Sequence, residues 1–158
     1  MIKRVLEELP QCSGGFYTEE IRKHGTRVGF KVVALDGYEA VFAHVDFTTP
    51  ARVGKYRLDL SALEAVGVKA VREAVDARRL TVIDEIGPME IRSAVFRDAV
   101  SAALDSGVPI LGTIFARPLP FADAIKMRSD VSVIEVRPDN REKLVSDLSD
   151  KFRNLNQA

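Results

Sequence analysis

Cysteine is nearly absent: Cys12 is the only one, which excludes an intramolecular disulfide and a multi-cysteine metal site within these 158 residues. An excess of either charge is absent too. Lys+Arg and Asp+Glu each number 23, so no overall basic field exists to draw nucleic acid. No apolar run reaches the ~20 residues that a membrane helix needs. The basic start Met-Ile-Lys-Arg is followed at once by Glu7, Glu8 and Pro10, so no signal-peptide core forms. Repeats, low-complexity tracts and Pro/Ser-rich linkers are missing as well. His24 and His44 stand apart, without partners at metal-ligand spacing. These shortages leave one cytoplasmic domain spanning residues 1–158, expected to be a monomer with no nucleic-acid or membrane partner. With 46% apolar and 29% charged residues, a chain of this length can bury a real core.

The apolar pattern orders the chain. Residues 1–9 have helical spacing, with Ile2, Val5, Leu6 and Leu9 on one face, and Pro10 ends the helix. No N-cap precedes it, so the chain opens in mid-helix. Residues 15–22 and 27–35 read as a hairpin turned at Gly25, and Asp36-Gly37 turns the chain again into a third antiparallel strand over 38–45. Residues 46–59 read as irregular. Ser61-Ala62-Leu63-Glu64 has the form of a capping box, before a helical pattern that Gly67 divides.

Residues 80–83 are a short continuous apolar run, the mark of a strand covered on both faces. Residues 93–106 form an amphipathic helix with Phe96, Ala99, Val100 and Ala103 on one side, stopped by Gly107. Residues 108–114 and 131–136 read as two more covered strands, and Asp139 or Asn140 caps a last helix. Alternation of this kind predicts an α/β fold, a parallel sheet with helices on both faces and the antiparallel hairpin strands at one edge.

In such sheets, sites lie at the carboxyl ends of the strands. Asp84-Glu85 falls there. The first carboxylate can hold magnesium, because that ion binds through one or two carboxylates together with phosphate oxygens and water. The second can orient or deprotonate a water that attacks a terminal phosphate. Gly87 lets the backbone turn just beyond. Taken alone, Asp84-Glu85 also reads as a strand that simply ends in polar residues. Thr113 could face the same crevice or bond to backbone. Lys55, Arg52, Arg117 and Arg128 could reach phosphate from loops or be solvated. Thr18, Glu19, Glu20 and Arg22 read as the solvated face of an edge strand. Gly54-Lys55 is not a Walker A loop, since Thr49 stands where its first glycine belongs and Tyr56 where its hydroxyl belongs.

Residues Gly14-Gly-Phe-Tyr-Thr-Glu-Glu-Ile-Arg22, Gly29-Phe-Lys-Val-Val33, Val53-Gly-Lys-Tyr56, Val82-Ile-Asp-Glu-Ile-Gly-Pro-Met-Glu90, Leu111-Gly-Thr-Ile114 and Asn140-Arg141 come in that order. Together they closely resemble the small thermostable nucleoside-triphosphatase family, whose animal members are called cancer-related nucleoside triphosphatases. The resemblance covers nearly the whole chain. It implies a RecA-like P-loop NTPase sheet and hydrolysis of nucleoside triphosphates to diphosphate and phosphate, with Mg2+ as cofactor. Carried over by position, it implies Glu85 as the catalytic carboxylate and Asp84 as the metal carboxylate. Val82, Ile83, Asp84, Glu85, Ile86 and Gly87 become the nucleotide-binding segment. Family members open with a strand and a Gly-x4-Gly-Lys-Thr loop. Here residues 1–9 match the later part of the helix after that loop, so the first strand and phosphate loop are expected to be missing through a shortened N-terminus. A degenerate nucleotide-binding or interaction domain, and a nucleotide-kinase-like transferase, remain alternatives.

Overall fold

The computed structural model describes residues 1–9 and 13–155; Pro10 and Cys12 lie outside them. Helix α1 (Ile2–Glu8) buries Ile2 and Val5, the face its spacing predicts. Strands β1 (Ser13–Lys23), β2 (Thr26–Ala34) and β3 (Glu39–His44) form the expected antiparallel meander. His24 and Gly25 make the first turn with positive φ, the geometry that matches strand twist. The 46–59 stretch is not wholly irregular. It holds a small hairpin, β4 (Arg52–Val53) and β5 (Tyr56–Leu58), turned at Gly54-Lys55. Strands of two and three residues are too short to show an alternation.

Two helix boundaries differ from the sequence pattern. Asp59, not Ser61, caps α2 (Leu60–Leu63), its Oδ1 accepting from the Ala62 amide at 3.1 Å. Gly67 does not divide the helix. A π-helical turn (Glu64–Val68) carries it straight into α3 (Lys69–Asp76), with Gly67 buried.

Strand β6 (Leu80–Ile86) and β7 (Ile110–Ile114) run parallel to each other, and β6 runs parallel to β1. The sheet order is β4-β5-β3-β2-β1-β6-β7, so the antiparallel strands occupy one edge as expected. β1 is therefore internal over Ser13–Phe16, where it meets β6, and only its outer half has a single neighbour. Helix α4 (Ala94–Asp105) is capped by Ser93, while α5 (Pro120–Lys126) and α6 (Arg141–Leu155) follow β7. No helix of the described residues is long and apolar enough to cross a membrane.

Strand β6 shows why its apolar run is continuous. Ile83 joins Phe16, Val32, Leu63, Val71 and Phe96 on one side of the sheet. Leu80 and Val82 join Ile2, Val5, Leu111, Val145 and Phe152 on the other. Burying each such side chain is worth about 1.5–3 kcal/mol, so both faces of the strand favour this place in the sheet.

The 131–136 segment departs most from its sequence pattern. It is not a strand, and Val133, Ile134 and Val136 are 54%, 50% and 45% exposed. Its pattern is as apolar as that of 80–83. Among the described residues no strand lies on the outer side of β7, and this segment pairs with no strand of the sheet. An unpaired strand leaves its backbone groups to water.

Candidate functional site

Strand β6 extends past its apolar run and carries Asp84 and Glu85 to the carboxyl end of the parallel strands. The ladder with β7 shifts register between Ile83 and Ile86, where the Asp84–Glu85 peptide is cis. Thr113, at the same end of β7, donates its Oγ1 hydrogen to Asp84 Oδ1 at 2.5 Å. The structure therefore brings Thr113 to the carboxylate pair, facing the crevice and not bonded to backbone.

The acidic residues are only partly offset. Burial raises the Asp84 pKa above the carboxylate norm, against the Thr113 hydrogen bond and the positive charge of Lys3. Burial also raises Glu85, and the Asp84 charge adds to it. A third carboxyl is hidden behind them. Glu90, in the 3-10 turn Glu90–Arg92 that follows β6, is 3% exposed, and its Oε2 has no hydrogen-bond partner among the described residues. Burial pushes its pKa up to about 8, with the charges of Glu85 and Asp84 adding to the rise. The Glu90 and Gly87 amides face it and pull the other way. Sequence reasoning kept Glu90 only as the end of a motif; the signal available was a glutamate three residues past a glycine turn, which does not report burial.

Glu90 has a consequence for stability. The unfolded chain releases this proton near the ordinary 4.5, the folded chain near 8. Folding thus favours the protonated carboxyl, and that contribution is whole below about pH 4.5 and lost as pH rises to about 8. Urea unfolding from about pH 5 to about pH 8 is expected to show stability falling by an amount on the order of a few kcal/mol. Glu90→Gln is expected to remove most of this slope, and an unchanged slope would assign it to other groups.

The remaining candidates are scattered. Val82, Ile83 and Ile86 have buried side chains, so only their backbone can face a ligand. Gly87 is buried against Glu85: a Cβ there would lie 2.5 Å from Glu85 Oε1. Glu19 is held by Lys3 and by Lys31, and Arg22 by Glu20 and the Gly25 carbonyl. Arg52 donates to the Gly54 carbonyl, and Lys55 lies over the Tyr56 ring. Arg128 is engaged by Asp105 and Asp130, while Arg117 is exposed in the loop after β7.

Among the described residues no three His, Cys, Asp or Glu side chains converge into a metal cage. Magnesium requires none, since phosphate oxygens and water complete its shell. Asp84 suits it: a hard oxygen donor, with Oδ1 steadied by Thr113. The arrangement as a whole can hold a cation through one carboxylate and move a proton through its neighbour.

Known proteins resemble this chain in sequence and shape. The family model described as NTPase matches residues 1–149. A protein of Thermotoga sp. named nucleoside-triphosphatase THEP1 is 43% identical over 148 residues, covering 94% of this chain and 84% of that protein. The human cancer-related nucleoside-triphosphatase is 40% identical over 147 residues, covering 85% of this chain and 77% of that protein. The crystal structure of THEP1 from the hyperthermophile Aquifex aeolicus superimposes with a TM-score of 0.86 at 31% identity, covering 96% of this chain and 90% of that one.

Proposed function

Since this chain belongs to the NTPase family, we propose that it acts as a nucleoside-triphosphatase, with Asp84 and Glu85 as the metal and hydrolytic carboxylates. The observation that carries this reading is the half-buried pair at the end of β6, with Asp84 braced by Thr113. Glu85 lacks a cationic partner among the described residues, and burial, which raises its pKa, makes its carboxylate a stronger base. Glu85 orients a water and takes its proton as the water oxygen bonds to the terminal phosphorus. The bond from that phosphorus to its bridging oxygen breaks, releasing diphosphate nucleotide and inorganic phosphate. Asp84, held by Thr113, would bind Mg2+. That ion would offset charge on the phosphate oxygens.

A phosphate cradle completes the proposal. Residues 1–158 contain no Gly-x4-Gly-Lys-Ser/Thr run. We place the cradle on a strand and loop that lead into α1 and lie along β7. Two observations support that position: the outer side of β7 lacks a partner strand among the described residues, and the 131–136 segment is unpaired and exposed. Such a strand would pair with β7 and give 131–136 an edge to join.

The test is phosphate release from a nucleoside triphosphate by the protein carrying that loop, with and without Mg2+. Release is expected with the metal and is expected to fall to background on chelation, returning when Mg2+ is restored. Release that is indifferent to chelation would remove Asp84 from the reading.

A further inference from the structure

We infer that Glu90 is a positioning residue for Glu85, its buried side chain setting where the turn after β6 aims the hydrolytic carboxylate. The inference rests on the proposed role of Glu85. The turn around Glu90 is pinned at several points. Ile91 donates its amide to the Gly87 carbonyl at 3.1 Å, and Ser93 to the Glu90 carbonyl at 3.1 Å. Ser93 Oγ, itself buried, donates to Glu64 Oε1 at 2.6 Å and accepts from the Phe96 amide at 3.0 Å, tying the turn to the π-helical segment and to α4. Arg97 Nη1 donates to the Ile91 carbonyl at 2.5 Å. The turn that carries the buried Glu90 side chain is thereby tied to Gly87, next to Glu85.

Gly87 transmits the contact. It has no side chain, and its α-carbon faces the Glu85 carboxylate so closely that a Cβ would be 2.5 Å from Oε1. A shift of the Gly87 backbone therefore moves the floor on which that carboxylate rests. A buried carboxyl oxygen without a partner costs folding free energy, and an apolar side chain of similar length would avoid that cost. Its presence beside a carboxylate pair is explained by work at the site.

Two variants test this in the full-length protein. Glu90→Gln keeps the shape and an oxygen that can face the Gly87 amide. Glu90→Met keeps the length and removes every polar atom. For the methionine variant, kcat is expected to fall about ten-fold or more with KM nearly unchanged, as small misplacements of reacting groups cost rate. The glutamine variant is expected to keep most of kcat. A folded methionine variant with wild-type kcat would overturn the inference, as would a glutamine variant that loses as much as Glu85→Gln. The second reading needs no turnover. In wild-type protein the Gly87 amide resonance is expected to titrate near pH 8, where Glu90 ionises, and to be flat in Glu90→Gln. A flat wild-type profile would overturn the placement of Glu90 on Gly87, while a titrating one with no hydrolysis would leave the placement intact and fault the proposed activity instead.

Discussion

Glu85→Gln is expected to lower kcat for Mg2+-dependent phosphate release by about 100- to 1,000-fold, the usual share of a positioned general base. That corresponds to about 3–4 kcal/mol on the barrier. The amide has nearly the carboxylate's shape, so the contacts around it survive and the fold is unaffected. What it loses is the capacity to take a proton from water. The effect belongs in kcat, because Glu85 acts on the attacking water and not on the nucleotide's ground state. KM is expected to stay within about a factor of two or three. Single-turnover phosphate release measured on both proteins separates this outcome from slow product release. Equal rates would take Glu85 out of the mechanism and leave Asp84 with another partner.

Gly15→Ala is expected to be the most damaging single-methyl change in the fold. Gly15 has φ +98°, which L side chains rarely adopt. It also lies opposite Val82 in the parallel β1–β6 ladder, and a Cβ would sit 2.1 Å from the Val82 carbonyl oxygen and 2.8 Å from its nitrogen. Those are backbone atoms of the central strand and have no rotamer to change. The strands would have to part, losing the covered packing of Val82 and Ile83 as well. A cost of about 3 kcal/mol or more is expected, from the strained backbone and the overpacking together. In a chain of this size the melting temperature should fall by about 10 °C. Thermal unfolding followed by circular dichroism reads the change, and a loss of only a degree or two would mean that β1 and β6 can separate cheaply. Because β6 carries Asp84 and Glu85, activity is expected to fall with stability, unlike the selective loss in Glu85→Gln.

The sequence pattern was legible where local chemistry decides. Asp36-Gly37 and His24-Gly25 turn hairpins through their own φ preferences, and both turns are present. The α4 face of Phe96, Ala99, Val100 and Ala103 is buried as its spacing predicts. It was misleading where two local solutions compete. Asp59 and Ser61 both precede the same helix and both can cap it; the ladder of β5 delivers the chain so that Asp59 does. The β4–β5 hairpin was invisible because five residues carry no period.

Residues 80–83 and 131–136 draw the boundary most clearly. Both are apolar, and local reasoning makes both covered strands. One lies between β1 and β7 with a core on each side, and the other has exposed valines and an isoleucine. Pairing is a property of the neighbour as much as of the segment, so no periodicity in 131–136 could report that it pairs with no strand of the described residues. The carboxylates divide in the same way. That Asp84 and Glu85 stand where an apolar strand ends is written in their order along the chain. That Thr113 braces Asp84 depends on two strands far apart in sequence coming within hydrogen-bond distance, and that Glu90 lies buried depends on what packs around its turn; only the folded sheet decides either.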